Sequence, residues 1–129
     1  MTSPGVRLTA TALRVLAVLL LAFDTAIHLA APQPVLDASA ELGLPAGLMP
    51  AVGIVEAVLV ALYVLPRTAP LGALLWTGYL GGAVLAHVRV GNPLFTHVLF
   101  PVYVAALLWS PVWLREPRLR ALLPIRTED

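Results

Sequence analysis

The chain contains no cysteine and no lysine. Without cysteine there is no disulfide, no thiolate metal site and no thiol nucleophile, so any redox chemistry requires a bound cofactor. Charge is scarce too. Asp, Glu, Lys and Arg make up 12% of the 129 residues, against about 25% in soluble domains. All eight basic residues are arginine and the formal net charge is +1. No basic patch follows from this composition, so nucleic acid is set aside as a partner.

What the chain has in abundance is apolar surface. Hydrophobic residues account for 60% and the mean hydropathy is +0.91, the composition of a membrane protein. Its length predicts a single domain over 1–129. Four apolar runs cover about 11–31, 48–65, 71–90 and 94–114. A run of about 20 such residues crosses a 30 Å hydrocarbon core as a helix, which predicts an all-α fold, a bundle of four transmembrane helices. Pro32 and Pro34 stop the first run, and Pro66 and Pro70 bracket the turn between the second and third. Residues 32–47 read as a loop with one helical turn between Leu36 and Leu42. A cleavable leader competes for the first run, since Arg14 precedes an apolar stretch. Asp24 and His28 stand where that stretch should continue.

The arginines orient the bundle. Arg7, Arg14, Arg67, Arg115, Arg118, Arg120 and Arg126 fall at one end if the runs alternate in direction, and Arg89 alone falls at the other. The positive-inside rule then puts both termini in the cytoplasm and the protein in the inner (plasma) membrane as a multi-pass chain. Trp109 and Trp113 suit an interfacial aromatic belt. Gly78, Gly82 and Ala86, spaced by four, read as a face for close helix packing, and a homo-oligomer through that face is left open.

This orientation gathers the scattered ionisable residues into one zone. Asp24 and His28 share a face of the first helix, Glu56 lies in the outer part of the second, and His87 and Arg89 end the third. His97 begins the fourth. An ionisable group costs roughly 2.5 to 3.5 kcal/mol at a helix centre on insertion scales, so six in one half predict a polar pocket open to the extracytoplasmic side. Gly91 and Pro93 should fold the third and fourth helices back on each other, bringing His87 and His97 to similar depth. Pro101 removes the helical bond to the His97 carbonyl. Three chemistries fit: a metal site of histidine and carboxylates, although the Glu-x-x-His of di-iron bundles is absent; haem ligation or proton exchange with a quinol by histidine; and acid–base action on a small lipophilic substrate. Spacing does not choose among them. For each residue a structural role stands beside the functional one, as a local ion pair for Asp24 and His28, a Glu56–Arg89 pair between helices, or an interfacial anchor at Arg89.

Gly53-Ile54-Val55-Glu56-Ala57, Leu65-Pro66-Arg67-Thr68 and Gly78-Tyr79-Leu80-Gly81-Gly82-Ala83, leading into Ala86-His87-Val88-Arg89-Val90-Gly91 and Asn92-Pro93-Leu94-Phe95, resemble the DoxX-like family. The likeness spans roughly residues 11–120, and the glycine-rich third helix running into His-x-Arg-x-Gly is its most specific part. The resemblance implies a small four-helix membrane protein. Described relatives include the small membrane subunit of thiosulfate:quinone oxidoreductase, a mycobacterial membrane oxidoreductase complex and assembly factors for membrane receptors. The leading functional reading is a membrane component of a redox system, binding a quinone or another small lipophilic molecule in the outer-half pocket and working with redox partner proteins. Glu56, His87 and Arg89 match the family's recurrent polar positions; Asp24, His28 and His97 come from this sequence alone. In the leading reading Glu56 and His87 are the acid–base pair, Arg89 fixes a ligand oxygen, Asp24 orients His28, and His97 completes the pocket. The alternative is a non-enzymatic assembly or scaffold protein whose polar cluster is structural.

Overall fold

The computed structural model describes residues 2–126, and every regular element among them is helical. In chain order these are α1 (Pro4–Ala30), α2 (Gln33–Glu41), α3 (Leu48–Val64), α4 (Ala69–Arg89), a π-helical turn (Leu94–Val98), α5 (Phe100–Arg115) and α6 (Pro117–Leu122).

Helix α1 starts well before the apolar run at Thr11. The Ser3 hydroxyl accepts a hydrogen bond from the Val6 N–H at 3.3 Å and Pro4 occupies the first turn, a start signal that the polar leader supplies by itself. Residues 33–41 form a nine-residue helix where the sequence suggested a single turn. Pro34 pre-sets its first turn, and Gly43, at φ +72°, follows its end. Gly91 takes the same left-handed backbone, as the sequence predicts for the turn after α4. The chain then makes a π turn rather than an ordinary first helical turn. Val98 and Leu99 donate to the carbonyls of Pro93 and Leu94, at 3.1 and 2.9 Å, just before Pro101, which has no N–H to give.

Helices α1, α3, α4 and α5 form a ring in which α1 packs on α3 and α5, and α4 packs on the same two. Helix α1 is thus diagonal to α4. Leu21, Leu59, Tyr63, Trp76 and Leu108 fill the centre. Two glycines set the helix spacing. A Cβ on Gly53 would lie 2.7 Å from the Leu29 backbone nitrogen, and one on Gly72 would lie 2.5 Å from that of Tyr63, so α1–α3 and α3–α4 touch backbone to backbone.

The outer surface of the ring is apolar. Leu19, Phe23, Ile54, Val58, Leu74 and Leu85 are all exposed, an arrangement that suits lipid and not water. Three helical stretches, Pro4–Ala30, Ala69–Arg89 and Leu94–Arg115, are long and apolar enough to cross a bilayer. At 17 residues α3 spans about 25 Å at 1.5 Å per residue, less than a full hydrocarbon core. The protein is therefore a membrane protein with transmembrane helices. At the ring end where α1 begins and α3 finishes, the Arg14 guanidinium donates to the Val64 carbonyl and that of Arg115 to the Thr11 hydroxyl at 2.6 Å.

In the small-residue stripe on α4, Gly78 and Gly82 pack against no other helix among the described residues. A Cβ built on Gly78 or Gly82 meets nothing within 4 Å. Both glycines and Ala86 line a cavity instead.

Candidate functional site

That cavity, of about 800 Å³, lies among α1, α2, α4 and α5, closed at one side by the start of α3. Its wall is mostly apolar, and Asp24, His28, Ser39, Trp76, Tyr79 and His87 are the lining residues with polar side-chain atoms.

The densest polar group sits at the α1–α3 contact. Asp24 and His28 are one turn apart on α1, so they project from one face. Glu56 is one turn beyond Gly53 on α3, and the close approach that Gly53 permits carries its carboxylate onto the imidazole. His28 Nδ1 lies 2.8 Å from Glu56 Oε2 and 3.8 Å from Asp24 Oδ2. With Nδ1 protonated, the imidazole donates to the Glu56 carboxylate. Exposure grades across the cluster. The Glu56 side chain is 0% exposed, His28 19% and Asp24 41%, so Glu56 is the buried floor and Asp24 the face turned to the cavity. The second Glu56 oxygen makes no hydrogen bond; the Tyr79 phenol and the Asp24 carboxyl are the other polar groups that act on this carboxyl.

A second group sits at the α4–α5 hairpin. The His87 and His97 rings meet edge to face, with centroids 5.7 Å apart and planes at 68°, as their symmetric placement about Gly91 and Pro93 predicts. Asn92 Nδ2 is 2.7 Å from His87 Nδ1, and Thr96 Oγ1 is 2.8 Å from His97 Nδ1. His87 lines the cavity; His97 is exposed beside it.

Of the six residues the sequence singled out, three therefore meet at one point and two at another. Arg89 joins neither. Its guanidinium donates to the Leu42 carbonyl at the end of α2 and would contact a Cβ at Gly43 at 3.0 Å. The ion-pair partner of Glu56 is His28 rather than Arg89.

Two residues of the site escaped the sequence reading. Trp76 is fully buried, lines the cavity, and its indole N–H has no acceptor. Tyr79, one turn on, packs edge to face against it at 5.2 Å and turns its hydroxyl toward Glu56. The available signal was their spacing: with His87, eight residues beyond Tyr79, they recur on one side of α4, and each carries a polar atom that an apolar environment must satisfy.

These features define a small helical membrane protein with a lipid-facing exterior and an apolar cavity that ends in a carboxylate–imidazole cluster. The family model described as the DoxX-like family matches residues 12–110, and the chain belongs to that family. No curated protein and no solved structure gives a match.

Proposed function

We propose that the protein is a membrane component of a redox system that binds a quinone, or a lipophilic molecule of similar shape, in the cavity between α1 and α4. One observation carries this reading: a cavity of about 800 Å³, within the roughly 300–1,000 Å³ range of small-molecule sites, brings a few polar groups into an otherwise apolar wall. A quinone offers the matching chemistry, a flat apolar body with oxygens that accept or donate hydrogen bonds as its redox state changes. Glu56 exchanges protons with the ligand through His28, and His87 does so directly from the wall. Asp24 orients His28. Trp76 supplies an N–H to a ligand oxygen. His97 braces His87, and Arg89 holds the end of α2 over the cavity. Redox partner proteins deliver or remove the electrons, since the chain has no thiol of its own.

In this reading the chain is one domain that crosses the inner (plasma) membrane four times with both termini in the cytoplasm, α3 crossing at a locally thin place. The cavity then faces the extracytoplasmic side, opposite Arg14 and Arg115. The chain lacks cysteine, so topology is read by single introduced cysteines. Ala46→Cys should react with an impermeant maleimide from outside and Arg67→Cys only after permeabilisation; the reverse pattern would overturn the orientation.

A second reading, an assembly or scaffold protein, draws on the fully buried Glu56, whose bond to His28 ties α1 to α3. Decylubiquinone quenching of tryptophan fluorescence separates the two. Glu56→Gln and His87→Ala that insert normally but lose quenching support the ligand site. Variants that fail to accumulate in the membrane support the scaffold.

A further inference from the structure

The carboxylate cluster carries more negative charge than the chain offers to neutralise. Asp24 and Glu56 would bring two negative charges into a helix ring, and among the described residues the only ion-pair partner of either is His28. Even a protonated His28 leaves one charge over. No lysine exists to supply it, and the one arginine at this end, Arg89, is engaged at Leu42. A charge left uncompensated at such a place is unfavourable by several kcal/mol, and a proton held between the two carboxyls or a bound cation would remove it.

The ligand atoms are already gathered. One oxygen from each carboxylate and a nitrogen of His28 all lie within 4.8 Å of one another. Bonds of about 2.0–2.2 Å to nitrogen and oxygen require donor atoms roughly 3 to 3.5 Å apart, and the observed 2.8 and 3.8 Å bracket that spacing. The buried Glu56 oxygen without a hydrogen bond is a further free donor. We propose that Asp24, His28 and Glu56 bind a divalent transition-metal cation whose open coordination position faces the cavity. One imidazole and two carboxylates, with no thiolate, select zinc, iron(II) or manganese(II) rather than copper(I). The proposal deepens the ligand-binding reading, because the open position would take an oxygen of the cavity's occupant, with the ion standing where the Glu56–His28 proton path would otherwise run, but the ion's binding does not depend on that occupant.

The test is a Co²⁺ titration of full-length protein, purified in mild detergent and stripped with chelator, followed by visible d–d absorption. The expected result is one saturable Co²⁺ per chain, displaced by Zn²⁺. His28→Ala and Glu56→Gln should lose the band, and Asp24→Asn, whose side chain is half-exposed, should weaken binding at least about tenfold at unchanged helicity by circular dichroism. The double variant His87→Ala, His97→Ala should keep it. No saturable band in the wild type overturns the proposal. So does a band that survives Asp24→Asn unweakened, or that vanishes with the hairpin histidines. Parallel decylubiquinone quenching keeps the two readings apart. Quinone binding without cobalt binding sinks the metal site alone, and cobalt binding without quinone binding sinks the quinone alone.

Discussion

The glycines on α4 offer a way to destroy the cavity while leaving the ring intact. A Cβ on Gly78 or Gly82 meets no atom within 4 Å, so a larger side chain at Gly82 grows into the cavity without displacing a helix. Gly in a helix interior is unfavourable by about 1 kcal/mol relative to Ala, and Gly82→Ala should therefore raise stability by about that amount, roughly 4 °C in Tm for a chain of this size. Gly82→Leu keeps the backbone gain and fills the space the ligand needs. Forcing a ligand past such overpacking costs about 1–3 kcal/mol, a loss of about 5- to 150-fold in affinity. The assay pairs thermal unfolding in detergent with decylubiquinone quenching. Stability held or raised while binding falls would mark the glycines as cavity-forming. If Gly82→Leu instead lowered Tm, broke up an oligomer and left binding unchanged, the glycines would be a face for a second copy and the cavity argument would fail.

Further substitutions probe the supports of the site. Gly53→Val places a branched carbon where even a Cβ would lie 2.7 Å from the Leu29 nitrogen, so α1 and α3 must part; a loss of about 1–3 kcal/mol is expected in thermal unfolding, together with the Co²⁺ band. Glu56→Leu leaves the His28 N–H without its acceptor in a half-buried site and should cost about 1–3 kcal/mol, while Glu56→Gln, which retains an acceptor oxygen, should cost less; equal losses would deny the hydrogen bond its role. Arg89→Ala frees the α2 end at Leu42, and hydrogen exchange over residues 33–44 should quicken with the rest of the ring unchanged. Uniform exchange across the variant and the wild type would remove Arg89 as the tether.

How far the sequence carried depended on whether a feature was local. The apolar runs were legible because hydropathy and proline punctuation lie within each segment, and the His87–His97 contact was legible because both residues are placed symmetrically about one short turn. The Glu56–His28 bond was not. Nothing in either helix states the register in which they cross, and the sequence offered Arg89 and His87 as partners for Glu56; the close approach at Gly53, one turn away, brings it to His28 instead. The glycine stripe is ambiguous for a related reason: a period of four marks a face without side chains, and that face serves helix packing, by a second copy included, or the edge of a cavity equally well. Helix α2 was read as one turn because its mixed composition gives no apolar periodicity; Pro34 and Gly43 mark its bounds.

The ring order explains why the site's polar groups fall on two sides. Helix α1 contributes Asp24 and His28, and α4, which stands diagonal to it, contributes Trp76, Tyr79 and His87. Diagonal helices in a ring of four are separated by whatever fills the centre, and toward the Tyr63 end that is the packed core of Leu21, Leu59, Trp76 and Leu108. Toward the His87 end, α4 presents Ala83 and Ala86, with Gly78 and Gly82 at the cavity's rim, and the separation becomes space. The small residues and the polar residues of α4 thus share one purpose: the former open the diagonal, and the latter give its occupant something to bind. Tyr79 stands between the two levels, edge-on to the core residue Trp76 and acting on Glu56 of the adjacent helix α3. A Tyr79→Phe variant isolates that link. It removes one hydroxyl from the cluster while keeping the ring contact, so unfolding should change by no more than about 1 kcal/mol, whereas Co²⁺ affinity should shift. An unchanged titration would confine the cluster to α1 and α3 and leave Tyr79 a core aromatic only.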